Sequence, residues 1–281
     1  MNSEFSAELI SRLRKYADPF VAHPPSIISH FSGGAEPYFP FEIGSDKGLG
    51  VLLLNAALYA PGDEIRSAEL ISGLYSRMGD RIFKLNRIPF EELRKNLSGL
   101  PAPSDLEGRK RVPGILRSVC DFFYRTGSLG NWLKGDGDWE GKVLNLSGDV
   151  FWMGKTSRLR TKARYFLWLT TFQSDFNSKY AVGENFNWPI SAGHARFRLD
   201  FMRTRGKNFT ENTPEYRLQF FTKLARETFP SAPWRLFLPL SSYLKPGKTL
   251  GFECRRIQGG CPSCSLAMLC PSSTQLKNGR K

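Results

Sequence analysis

Four of the chain's five cysteines fall within seventeen positions near its C-terminus, CRRIQGGCPSCSLAMLC, from Cys254 to Cys270. The gaps between them are six, two and five residues. No other feature of the sequence restricts the fold so tightly, because four thiolates that share one soft metal centre oblige the backbone between them to wrap around it. A zinc ribbon would show two C-x2-C knuckles. Only Cys261 and Cys264 form such a pair, with Cys254 and Cys270 standing singly on either side. The tetrad therefore suits a compact loop closed around a larger inorganic core better than two knuckles, with a zinc site of unusual gaps as the alternative. In a reducing compartment such clustered thiols serve metals rather than disulfides.

The start of the chain argues for that compartment. MNSEFSAELISRLRKYADPF has Glu4 and Glu8 where a secretion signal would be basic, and it has no apolar core segment. The longest apolar run, LGVLLLNAALYA over 49–60, is too short to cross a bilayer, which takes about 20 residues. The expectation is a soluble, cytoplasmic, monomeric protein with no membrane span. Forty Lys and Arg against 26 Asp and Glu give a formal charge of +14, which favours a polyanion such as nucleic acid or an acidic membrane surface.

Periodicity along the chain is helical, and strand-like alternation is scarce. A first helix is expected over 4–17, then a Pro/Gly/Ser-rich lead-in over 23–48. GLGVLLLNAALYA reads as a buried helix, and SAELISGLYSRMGDRIFKL as an amphipathic one with Leu70, Leu74 and Met78 on its apolar stripe. PFEELRKNLSGL and VPGILRSVCDFFYRTG each open on proline and close on glycine, the usual start and stop chemistry. Cys120, inside the second of these, is expected as a small buried side chain. GNWLKGDGDWEG reads as a connection, and a helix is expected from Ser157 to Phe172. HARFRLDFMRT, TPEYRLQFFTKLARETF and PWRLFLPLSSYLK are three further helical candidates. The resulting class is mostly α, in three parts: an N-terminal lead-in over 1–48, a two-lobed helical core over 49–250 and a cysteine loop with a basic tail over 251–281.

The spacing C-x6-C-x2-C-x5-C resembles the iron-sulfur loop of the endonuclease III and adenine DNA glycosylase branch of the helix-hairpin-helix DNA glycosylases, and it lies at the matching C-terminal place. The resemblance extends more faintly over about residues 40 to 272. It implies a [4Fe-4S] cluster held by Cys254, Cys261, Cys264 and Cys270, structural rather than catalytic, and a two-lobed helical fold that binds double-stranded DNA. Arg255 and Arg256, between the first two ligands, would then be presented to a phosphate on a rigid loop.

The family's hairpin is a glycine-rich turn of the kind L-P-G-x-G-x-K-x-A, in which backbone N–H groups approach a phosphate. Here TSRLRTK, Thr156 to Lys162, occupies that place without a glycine, unless LSGD and MGKTS form an enlarged turn. The segment is basic, with Lys155, Arg158, Arg160 and Lys162 as phosphate contacts. On the expected helix Arg160 and Arg164 share one face, and Leu159, Ala163, Phe166 and Thr170 line an apolar one. The lysine with which lyase members of the family attack the sugar falls on Lys162, with Lys155 as second choice. The family's P-x-D-T-H-x-x-R segment is similar to PISAGHAR, with Pro189 and Arg196 in register, the latter a further DNA contact. Ser191 then stands where the catalytic aspartate belongs, and a hydroxyl cannot stabilise a sugar cation by charge. Replacement carboxylates are Asp149, Asp175, Glu184 and Asp200, of which Asp175 and Asp200 are carried forward; His194 reads as a cap or a packed side chain.

The function implied is excision of a damaged or modified base by flipping it out of duplex DNA and cutting its N-glycosidic bond, as in base excision repair. Binding of damaged, modified or foreign DNA without cleavage is the alternative. Trp139, Trp152 and Trp188 are the loop aromatics of interest for stacking.

Overall fold

The computed structural model describes residues 5–21, 26–31, 35–60, 64–103, 110–135, 138–155, 159–170, 190, 192–204, 213–241 and 264–268. The described residues are mostly helical and contain no strand. None of their helices is long and apolar enough to cross a membrane. The chain divides into two compact units, one made of Met1–His23 with Ile190–Lys281 and the other of Pro24–Pro189. This groups the first helix with the C-terminal part of the chain, a pairing that the order of segments in the sequence does not carry.

The larger unit is built around α3 (Asp46–Leu58), every residue of which from Gly48 onward is buried. Its start is fixed by Ser45, whose Oγ accepts the Gly48 N–H at 3.1 Å. A Cβ on Gly48 would lie 2.1 Å from the Glu42 carbonyl oxygen, so only glycine permits this close approach. Around α3 pack α4 (Glu64–Met78), α6 (Val112–Thr126), α7 (Leu129–Lys134) and α9 (Thr161–Thr170), while α2 (Ser26–Ser29) lies against α4. Leu70, Leu74 and Met78 of α4 are buried, as their spacing requires. A 3-10 segment, Gly79–Arg87, and α5 (Phe90–Leu97) complete that side. Phe39, Phe41, Tyr75 and Phe83 form an aromatic cluster with edge-on contacts of 5.3–5.8 Å.

Two corrections to the sequence reading concern the stretch before α9. GNWLKGDGDWEG is no connection: it contains α7 and the start of α8 (Trp139–Asp149). Caps start both helices: Ser128, just before the stretch, accepts the Asn131 N–H on its Oγ at 3.1 Å, and Asp138 Oδ1 within it accepts the Gly141 N–H at 2.6 Å. The helix expected from Ser157 starts only at Thr161, because Arg160 has φ +43, which no right-handed helix accommodates.

In the smaller unit, α1 (Ala7–Val21) packs on α11 (Pro214–Thr228) and α12 (Phe237–Ser241), and α12 also meets α10 (Ala192–Thr204). The expected first helix thus runs later than 4–17, and PWRLFLPLSSYLK splits into a 3-10 turn, Pro233–Leu236, followed by α12. Phe5, Phe201 and Phe220 meet at 5.3–5.8 Å to form the core. Arg14 on α1 donates to the Thr228 carbonyl at 2.7 Å, satisfying an orphan acceptor at the end of α11.

Candidate nucleic-acid interface

The turn between α8 and α9 carries the basic residues singled out in the sequence, and its backbone is unusual. Trp152 at φ +71, Gly154 at φ +98 and Arg160 at φ +43 all lie in the left-handed region, where tryptophan and arginine each cost about 1–2 kcal/mol. Buried Val150 and Met153 anchor its first half. Between these anchors the Phe151 N–H donates to Ser118 Oγ on α6 at 2.7 Å. The Trp152 ring is covered by two cations, the Arg111 guanidinium carbon at 4.2 Å and the Lys162 Nζ at 5.9 Å from its centroid. Arg111 precedes the first turn of α6 and Lys162 lies in the first turn of α9, so two helix N-termini border this tryptophan.

The basic residues divide by environment. Lys155 is exposed, and Arg160 and Lys162 are half-buried. The Lys162 ammonium donates to the Ala57 carbonyl at 3.0 Å, which ties the start of α9 to the last turn of α3. Arg164 is a correction: it does not share a cationic face with Arg160, because its side chain is only 1% exposed. Its Nη2 donates to both Glu140 carboxylate oxygens, at 2.9 and 2.8 Å, and its Nε donates to the Leu159 carbonyl at 2.9 Å. Burial lowers the pKa of this guanidinium and the Glu140 carboxylate opposes the shift. The apolar stripe is otherwise as expected, with Ala163, Phe166 and Thr170 buried. Tyr165 stacks on Tyr59 at 3.8 Å between ring centroids.

The two described candidate carboxylates belong to different units. Asp200 belongs to the smaller unit, on α10, where its residue is 2% exposed and its carboxylate lies 3.7 Å from Arg196 Nε one turn earlier. The two residues chosen from the sequence, Arg196 and Asp200, are therefore brought together by one helix. Asp149, at the end of α8, is exposed and 3.8 Å from Arg125. His194 is packed, edge-on to Phe221 at 5.1 Å and stacked on Phe237 at 5.3 Å. Asp175, Glu184, Trp188, Ser191 and Arg158 lie outside the described residues.

Of the cysteine tetrad only Cys264 is described. It is half-buried and opens a turn in which its carbonyl accepts the Ala267 N–H at 3.1 Å. Leu266 and Ala267 are buried behind it, and Arg12 of α1 donates to the Ser265 carbonyl at 3.3 Å. Cys254, Cys261, Cys270, Arg255 and Arg256 lie outside the described residues, and among the described ones no three His, Cys, Asp or Glu side chains are grouped to hold a metal. Cys120 is buried against the Ile82 carbonyl at 3.2 Å, and burial pushes its thiol up to about 11.

The chain matches no family model, no curated protein and no solved structure. Residues that sequence reasoning did not single out meet this region through tertiary packing, Arg111 at Trp152 of the turn and Glu140 at Arg164 of α9. Arg111 is far from it in sequence, and no local pattern marks that proximity.

Proposed function

We propose that the protein grips double-stranded DNA through the α8–α9 turn and excises a damaged or modified base as a member of the helix-hairpin-helix glycosylase kind. The observation that carries this reading is the turn itself: Trp152 and Arg160 lie in the left-handed region, Arg111 and Lys162 cover the Trp152 ring, and Lys155 is exposed nearby in sequence. Exposed Lys155 and half-buried Arg160, both ahead of α9, suit phosphate oxygens. Such contacts fix register on the duplex without reading sequence.

Excision asks for a group that acts at the sugar. In this reading Lys162, as its neutral amine, displaces the base at C1′ and opening of the sugar ring leaves a Schiff base, while Asp175 stabilises the cationic sugar. The four tail cysteines, Cys254, Cys261, Cys264 and Cys270, hold a [4Fe-4S] cluster whose task is to pin the loop that bears Arg255 and Arg256. The half-buried position of Cys264, over buried Leu266 and Ala267, suits a thiolate in a shielded, water-poor setting.

Binding without excision is the second reading, and two observations favour it: the Lys162 ammonium is engaged with the Ala57 carbonyl, and Asp200 is buried beside Arg196. One experiment separates the two. The protein is incubated with duplexes that carry a panel of modified bases, abasic sites are counted, and borohydride is added to trap a Schiff base. Abasic sites together with an adduct lost in Lys162→Gln support excision; tight binding with neither product leaves the binding reading.

A further inference from the structure

Phe151 stands out against its surroundings. It is 51% exposed, while Val150 before it and Met153 two positions after it are buried. The other exposed large apolar side chains among the described residues are two tyrosines, a leucine and a methionine, so this is the exposed phenylalanine. Its position is not loose: the backbone N–H is held by Ser118, and one ring edge lies over Gly114 of α6, where an added Cβ would come within 4.0 Å of it. Trp152, 5.9 Å away between ring centroids, stands beside it under Arg111 and Lys162. A phenyl ring supported on one side, open on the other and next to a cation-covered tryptophan is poorly placed for water and well placed for a partner that offers flat apolar faces within a negative backbone.

We propose that Phe151 is the wedge of the interface: it enters the base stack of bound DNA where one base is missing or displaced, and it stacks on the bases that flank the gap. The proposal rests on the DNA reading above and deepens it. An aromatic ring stacks on any base, because every base has a π face, so this contact reports the vacancy and not the sequence. Insertion of an apolar side chain requires a step whose stacking is already weakened, and an abasic step fulfils that condition at least cost. Arg111, over the neighbouring Trp152, holds a phosphate while the ring occupies the gap.

The test compares the unaltered protein, Phe151→Ala and Phe151→Trp on two duplexes, one intact and one with a single reduced abasic site flanked by 2-aminopurine. The unaltered protein should prefer the abasic duplex and quench the 2-aminopurine fluorescence. Phe151→Ala should lose about tenfold in affinity for the abasic duplex, keep its affinity for the intact one and lose the quench. Phe151→Trp should retain both the preference and the quench. Half-exposure makes the alanine variant tolerable to the fold, and its unfolding curve checks this. An alanine variant that folds and still prefers and quenches the abasic duplex overturns the wedge while leaving DNA binding intact. Absence of duplex binding by the unaltered protein overturns the DNA reading and the wedge together.

Discussion

Arg164 and Glu140 form a two-pronged ion pair that joins α9 to the first turn of α8, with the guanidinium 1% exposed and the carboxylate 38% exposed. The asymmetry in exposure sets the expected cost of breaking the pair. Glu140→Ala strands a buried guanidinium and should destabilise the larger unit by about 3 kcal/mol. Arg164→Met removes the charge, keeps most of the bulk and leaves a carboxylate that water can reach, so it should cost about 1 kcal/mol. Urea unfolding of both variants checks the order; a costlier methionine variant would contradict the arrangement.

Cys120 makes stability depend on alkaline pH. Its thiol is raised from 9.0 to about 11 by burial, so the folded chain holds that proton while the unfolded chain gives it up. The resulting stability is fully present below the unfolded value and is lost as pH rises through the folded one, in total roughly 2–3 kcal/mol. Chemical unfolding of the unaltered protein and Cys120→Ala across that window should give curves that converge as pH rises. A constant gap between the two would show that burial does not govern this thiol.

His30 acts at the other end of the scale. Burial lowers its pKa, against the opposing effects of the Pro37 carbonyl 3.1 Å from Nδ1 and of Glu69 and Glu36. A base with a lowered folded pKa contributes stability above its unfolded value, which is about 6.5, and this is lost as pH falls. His30→Gln should therefore flatten the acid limb of the unfolding curve between neutrality and the onset of general acid denaturation. An unchanged limb would contradict the burial.

How much of this was legible in the sequence depended on whether the signal was local. The apolar run of α3, the Pro113 and Gly127 ends of α6 and the buried stripe of α4 were all readable, because a helix's face and ends are written within its own residues. The glycines and aspartates of GNWLKGDGDWEG have the composition of a linker, yet Asp138 within it is an N-cap, as is Ser128 just before it. The charged faces of α9 were drawn on a helix that starts too early; once Arg160 turns left-handed, periodicity counted from Arg158 no longer applies. Phe151 and Arg111 owe their roles to the packing of the turn against α6, which no spacing rule encodes.

The tail cysteines make a further expectation that stands apart from the fold. Protein purified without oxygen should be brown and contain iron and sulfide in equal amounts, and Cys264→Ser should lose most of both. Colourless protein with stoichiometric zinc would contradict the cluster.

The proposed grip on DNA by the α8–α9 turn is tested most directly by the salt dependence of duplex binding, compared between the unaltered protein and a Lys155→Gln/Arg160→Gln double variant. A plot of log affinity against log salt should fall steeply for the unaltered protein, and its slope should shrink by about 2 in the variant, roughly one for each phosphate contact removed. Identical slopes, or binding that does not weaken with salt, would contradict the account.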